Sequence, residues 1–160
     1  MSAFVIRDAR AGDEGTIVSL LEDMAKFEKL THIFHLTPEI VARDFLGPQR
    51  RLQCELAEWD GVAAGLMIWF RTYGTFQAAP VIYLEDIFVA ERFRRRGVGR
   101  AFLKRLAQQA LAEKAVRIDW LVLDWNARAI AFYEGLGAPI AEEWRICRLK
   151  GEAIAKLANG

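Results

Sequence analysis

Cysteine is scarce in this chain: Cys54 and Cys147 are the only two among 160 residues, far apart and without CxxC spacing. That excludes a disulfide scaffold and a Cys-rich zinc site, and it fits a reduced compartment. Serine is equally scarce. Ser2 and Ser19 sit outside any GxSxG pattern, so an esterase-type nucleophile elbow is excluded. The two histidines, His32 and His35, stand three apart with no HExxH and no cysteine partner. They read as solvated loop residues, and no metal is expected. A GxxxxGK stretch followed by Ser or Thr is missing too, which removes a P-loop nucleotidase. No apolar run approaches the roughly 18 residues of a membrane span. Met1–Arg10 carries Arg7, Asp8 and Arg10, unlike a signal peptide. A soluble, cytoplasmic protein is expected.

An excess of one charge is also missing, because 22 Lys+Arg face 21 Asp+Glu for a net charge of +1. There is no global reason to bind nucleic acid or a membrane, and any basic site must be local. What is present is globular composition, 53% hydrophobic and 27% charged. The length suits one domain over 1–160, able to bury about 70% of its unfolded surface. No repeat, low-complexity tract or linker divides it.

Phe4–Arg7 reads as a first strand. Asp13 is positioned to cap a helix from Glu14 to about Leu30, with Ile17, Leu20, Leu21, Met24 and Phe27 on one stripe. Thr37-Pro38-Glu39 starts a second helix with Ile40, Val41 and Phe45 facing inward. Arg51–Trp59 and Val62–Tyr73 are strand-like around the hairpin turn Asp60-Gly61, and Pro80–Val89 follows as a third strand of the meander. A long helix spans Gly97 to Lys114 with Val98, Phe102, Leu106 and Ala110 every four residues. Ile118–Leu123 is the apolar run of a strand covered on both faces. Asn126 caps another helix that stops at Gly135-Leu136-Gly137. Trp144–Leu149 reads as a last strand and Glu152–Leu157 as a terminal helix. The order β-α-α-β-β-β-α-β-α-β predicts a mixed α/β sandwich whose antiparallel front half gives way to one parallel pair.

The most informative segment is Arg94-Arg95-Arg96-Gly97-Val98-Gly99, between a strand and the long helix. A helix N-terminus offers unpaired N–H groups and about half a positive charge, which favours an anion. Glycines let the backbone approach a diphosphate, and Arg94, Arg95, Arg96 and Arg100 add cationic donors. A solvated basic turn is the plainer alternative. A dinucleotide fold is another, since Asp119 lies twenty residues after Gly99, but Phe102 stands where the third glycine of GxGxxG belongs.

Arg-x-x-Gly-x-Gly opening a helix after an antiparallel meander resembles the acetyl-CoA signature of the GCN5-related N-acetyltransferases (GNAT). Tyr83–Val89, then Leu123–Asn126 leading to Phe132-Tyr133, resembles the diamine (spermidine/spermine) acetyltransferase branch and its thialysine-acetylating relative. Phe4–Arg7, Ala25–Glu28 and Gly151–Ala153 are similar to that branch as well. The resemblance spans the chain. It implies a GNAT-type mixed sheet with one splayed parallel strand pair and helices on both faces.

It also implies roles. Backbone groups of Ile87, Phe88 and Val89 would pair with the pantetheine arm of acetyl-CoA. Arg94, Arg95, Arg96, Gly97, Val98, Gly99 and Arg100 would form the pyrophosphate turn, and Asn126, Ala127, Arg128 and Ala129 would border the cofactor. Tyr133 would sit near the thioester sulfur as general acid. Phe27, Glu28, Glu85, Asp119, Trp120, Leu121 and Glu143 would line the amine site. The activity implied is acetyl transfer to a primary amine by direct attack in a ternary complex.

The chemistry constrains these roles. A lysine-like amine near pKa 10.4 costs about 4.6 kcal/mol to hold as free base at pH 7. A carboxylate near 4.3 is a poor direct base, so Glu85 is read as attracting the ammonium and passing its proton to water. Glu28 would raise its pKa if the two converge. Strict strand alternation sends Asp86 to the opposite face from Glu85. Tyr133 shares a helical stripe with Ile130, Leu136 and Gly137, which is also the pattern of a core residue. Its phenol near pKa 10 is a weak donor to a thiolate whose thiol is near 8.5, uphill by about 2 kcal/mol.

The polyamine branch is expected to surround a polycation with acids. Here the stretch after Glu28, Lys29–His35, carries none, and Gly74 stands where that branch is acidic. A smaller amine, lysine-like or thialysine-like, fits better than spermidine, and Arg71 is a guess for an amino-acid carboxylate. Two other classes stay open at this point: a CoA-binding sensor without turnover, and a nucleic-acid binder through Arg92–Arg100. The second lacks interleaved aromatics apart from Phe93. A homodimer that exchanges C-terminal elements is implied by the resemblance.

Overall fold

Arg7 ties the first elements together. The computed structural model describes residues 3–160, which form a first unit ending at Leu121 and a second over Val122–Gly160. β1 (Phe4–Asp8) runs antiparallel to β2 (Gln53–Trp59), and Arg7 donates to Glu58 at 2.6 Å and to both carboxylate oxygens of Asp13 at 2.7 and 2.9 Å. Asp13 does precede α1 (Glu14–Glu28), but its side chain makes no capping bond to the helix. The guanidinium of Arg7 and the Arg10 N–H take the carboxylate instead. A charge-assisted fork is about twice as strong as a neutral hydrogen bond, so the ion pair displaces the cap.

α1 ends two residues before Leu30, where Lys29 adopts φ +61° and the Leu30 N–H returns to the Ala25 carbonyl at 2.8 Å. Ile17, Leu20 and Leu21 are buried as the stripe predicts, and Phe27 is not: it stays 43% exposed. α2 (Pro38–Val41) starts on Thr37, whose hydroxyl accepts from the Ile40 N–H at 3.4 Å, and continues as a π-helical turn over Ala42–Leu46 that buries Phe45.

β2 and β3 (Val62–Gly74) form the hairpin around Asp60-Gly61, both at positive φ (51° and 75°) as a two-residue primed turn requires. β3 pairs antiparallel with β4 (Ala79–Val89), and β4 pairs parallel with β5 (Ile118–Asp119). The sheet order is β1-β2-β3-β4-β5. β5 is two residues long rather than the six of Ile118–Leu123, because pairing with β4 stops at Tyr83 opposite Asp119. Beyond that point β4 carries a bulge at Glu85.

α3 (Val98–Ala112) covers one face. Val98, Phe102, Leu106 and Ala110 pack there with Ala57, Met67, Trp69, Ile82 and Leu84. The helix is pinned by Arg105, which pairs with the buried Glu55 of β2, and the Trp69 indole N–H donates to the same carboxylate at 3.3 Å. α1 and α2 cover the other face, where Ile17, Leu20, Leu21, Val41 and Phe45 pack with Leu56, Leu66, Ile68 and Phe88.

In the second unit, α4 (Ala127–Glu134) is capped by Asn126, whose side-chain oxygen accepts from the Ala129 N–H at 3.2 Å. The chain then turns through Gly137 at φ +86°. α5 (Glu152–Asn159) is the terminal helix. Trp144–Leu149 is not a strand, although its sequence is strand-like. A strand exists only as one rung of a ladder, and among the described residues none pairs with this segment.

Candidate active site

The turn before α3 has the geometry of an anion cradle. Arg95 lies at φ +63° and Gly97 at φ +83°, so two of three consecutive residues are left-handed. A Cβ built on Gly97 would meet nothing within 4 Å, so the turn faces open space. No side chain caps α3, and the first N–H drawn back onto the turn is that of Ala101, which donates to the Gly97 carbonyl at 2.9 Å. The N–H groups of Val98, Gly99 and Arg100 remain the unpaired positive end of a 15-residue helix. A diphosphate such as that of acetyl-CoA fits this set of donors.

The four arginines of the turn are not equivalent. Arg95 and Arg100 are exposed and make no ion pair with the described residues, so their charge is available to an anion. The Arg96 guanidinium lies 5.5 Å from the Trp59 ring and 5.7 Å from Phe93. Arg94 turns to the other face of the sheet. Its Nε donates to the Val89 carbonyl at 3.0 Å, and its guanidinium sits 5.0 Å from the Phe27 ring and 5.7 Å from Phe88.

Glu85 and Asp86 correct the expectation drawn from strand alternation. Ile68 of β3 pairs with Asp86 and Trp69 with Leu84, leaving Glu85 as an extra residue in β4. Before the bulge Ile82 and Leu84 face α3; after it Ile87 and Val89 do, and Phe88 faces α1. Asp86 therefore shares the α1 face with Phe88 and is not turned away from Glu85. The electrostatics agree. Burial first, then the charges of Glu85 and Glu28, push the Asp86 carboxyl up to about 7. Glu28, in the last turn of α1, is also raised by burial. Three carboxylates thus address one region, and no group of metal-holding side chains is present among the described residues. Asp86 was missed because each face of β4 reads as apolar with one acid in it, so periodicity gives no sign of the bulge.

The remaining expected residues divide as follows. Ile87, Phe88 and Val89 lie on the stretch of β4 past the last pairing with β5, so the splay at their edge is present. Asp119 forms an ion pair with Arg117 at 2.8 Å, Trp120 packs on the α3-side core, and Leu121 is exposed. Trp120 is therefore on the sheet face opposite Glu28 and Asp86. Arg71 is committed to Glu113 near the end of α3 and stacks 5.0 Å from the Trp69 ring, also on the α3 face. An amino-acid carboxylate would therefore meet an Arg71 already paired with Glu113, on the sheet face opposite Glu28. In the second unit, Asn126, Ala127, Arg128 and Ala129 form the start of α4, Tyr133 is buried with its ring 5.5 Å from Phe132, and Glu143 is exposed in an irregular segment.

A mixed sheet whose parallel pair parts beside a bulge, followed by an anion-cradling turn, defines a class. Residues 17–138 match the acetyltransferase (GNAT) family, and the chain belongs to it. It is an acetyltransferase by that membership. It is 33% identical to the thialysine N-epsilon-acetyltransferase of Bos taurus over 99% of both chains. It is 45% identical to the L-ornithine N5-acetyltransferase NATA1 of Arabidopsis thaliana over 95 residues, 59% of this chain and 42% of the plant protein. An integron cassette protein of V. cholerae shares the fold with a TM-score of 0.84 at 19% identity, covering 98% of each chain. Both curated relatives bear names of enzymes that acetylate an amine.

Proposed function

We propose that this chain is a single N-acetyltransferase domain that moves the acetyl group of acetyl-CoA to the terminal primary amine of a small lysine- or ornithine-like molecule. The observation that carries this reading is the convergence of Glu28, Glu85 and Asp86 on the α1 face, at the stretch of β4 that has lost its parallel partner. Acetyl-CoA supplies an activated thioester. Arg95, Arg96, Arg100 and the N–H groups around Gly97, Val98 and Gly99 would hold its diphosphate, and the stretch Ile87–Val89, past the last pairing with β5, would take its arm.

Glu85, exposed on the bulge, draws the ammonium in. Asp86 improves the proton transfer: an acceptor held up to about 7 lies nearer to an ammonium than an ordinary carboxylate does. The gap falls from about 6.5 units to about 3.4, or by roughly 4 kcal/mol. Phe27 and Glu28 line the entrance, with Asp119 and Leu121 further along the sheet. Tyr133 as acid to the leaving thiolate, and Asn126–Ala129 and Glu143 as bordering residues, keep the roles that the family pattern assigns them. The acid-free stretch Lys29–His35 and the glycine at position 74 leave a long polycation without partners beyond these three acids, and the names of the thialysine and ornithine relatives support the same class.

Thiol release from acetyl-CoA with a panel of ornithine, lysine, thialysine, putrescine and spermidine tests this. Release confined to the amino acids is expected. Spermidine as the best acceptor would sink the substrate assignment, and CoA binding with no release from any amine would leave a sensor.

A cytoplasmic homodimer belongs to the same reading. Trp144 is 75% exposed, and Ile146, Leu149 and Leu157 are exposed with it, which supports a second copy covering the C-terminal segment. Sedimentation of the full chain gives twice 18.2 kDa if this is right.

A further inference from the structure

Arg94 belongs by sequence to the phosphate turn and by side chain to the opposite wall. We propose that Arg94 is a positioning residue of the amine site: its guanidinium, bonded to the Val89 carbonyl and stacked on Phe27 and Phe88, holds the last turn of α1, and with it Glu28, over the end of β4. This rests on the amine-site reading above.

Three observations carry it. First, the guanidinium is engaged. Its Nε donates at 3.0 Å, and two ring faces lie 5.0 and 5.7 Å away. The Arg94 main-chain N–H is engaged as well, donating to the Glu91 carbonyl at 3.1 Å. Arg95 and Arg100, without ion pairs among the described residues, are the better phosphate ligands.

Second, the ring that receives Arg94 is exposed. Phe27 stands 43% open at the end of α1, two residues before the left-handed cap at Lys29 that ends the helix. A ring so exposed gains little from burial, and a cation over its face supplies a directional contact. Third, Arg94 does not neutralise the acids. No ion pair joins it to Glu28, and the Glu28 carboxyl is raised rather than lowered. The effect of Arg94 on Glu28 is one of place, exerted through Phe27, and not of charge.

The test compares Arg94→Ala and Arg94→Lys with Arg95→Ala in the full chain, by calorimetric titration with CoA and by thiol release with the best amine. Arg94→Ala is expected to raise the amine KM about tenfold while kcat and the CoA dissociation constant stay within about threefold. Arg95→Ala is expected to do the reverse. Phe27→Leu keeps the bulk and removes the ring face, so it should reproduce the KM shift, and the double variant with Arg94→Ala should be no worse than either alone. If the alanine variant does not fold, Arg94→Lys carries the same comparison, since lysine keeps the charge without the flat fork. Loss of CoA affinity in Arg94→Ala with an unchanged amine KM overturns the proposal. Should the wild-type protein turn over no amine, the functional reading fails by itself, and amide exchange decides this one. Faster exchange at residues 25–30 in Arg94→Ala, with CoA affinity intact, supports it; unchanged exchange overturns it.

Discussion

Glu85 and Asp86 are consecutive in β4, yet only Asp86 has a partner across the ladder: Ile68 pairs with Asp86 and Trp69 with Leu84. The extra residue puts two acids within reach of one region where alternation would separate them. Asp86, beneath α1, then holds its proton up to about 7 under burial and the charges of Glu85 and Glu28.

That shift ties stability to pH. The unfolded Asp86 loses its proton near 3.9, and the folded one keeps it to about 7, so the native state binds the extra proton between those values. Stability is fully present below about 4, declines as pH rises to about 7, and is level above, with an upper bound of about 4 kcal/mol on the loss. Asp86→Asn should flatten this slope in urea melts at pH 5 and pH 8. An unchanged slope would remove Asp86 as its source.

Glu85→Gln should lower kcat/KM by about 10²–10³-fold, the usual contribution of a residue that handles the proton. Thiol-release kinetics check it, with CoA titration as control, since CoA affinity should stay as in the wild type. A loss below about threefold would return Glu85 to the status of a solvated strand carboxylate.

Gly65 faces Val89 across the sheet, and a Cβ there would lie 2.3 Å from the Phe88 carbonyl oxygen. Gly65→Ala must push the end of β4 aside, at a cost of about 1–3 kcal/mol by the scale of overpacking. Thermal melting reads the loss. CoA titration should show weakened binding too, because Phe88 and Val89 form the edge assigned to the pantetheine arm.

Arg71 serves as the counter-case. Paired with Glu113 and stacked on Trp69, it lies on the α3 face. Arg71→Ala should leave the KM for an amino-acid amine within about twofold and change stability by under about 1 kcal/mol, as for exposed pairs. A KM rise of tenfold or more would restore it to the amine site.

Much of the site could be read from the residues in order. The turn from Arg94 to Gly99 is local in its backbone: two glycines and a helix start within six residues mark it without tertiary help, although where each arginine side chain goes is not local. The core stripe Val98, Phe102, Leu106 and Ala110 and the Thr37 and Asn126 caps are local in the same way. The C-terminal strand expected over Trp144–Leu149 is not, because a strand is defined by its neighbour and the sequence does not name one. The Asp13 cap failed similarly, since the ion pair that displaced it comes from Arg7 on another element.

The sequence by itself determined the family, the order of the elements as far as α4 and the glycine turn that opens α3, because these rest on patterns among residues a few positions apart. Tertiary structure decided which charges meet. The bulge that brings Asp86 beside Glu85 depends on how β4 sits against β3. The two destinations of neighbouring arginines, Arg94 to Phe27 and Arg96 to Trp59, depend on which rings lie on each face of the sheet. Coulomb and stacking energies fall with distance in space rather than along the chain, so only the folded arrangement separates an arginine left exposed in the turn from one that packs on the opposite face of the sheet.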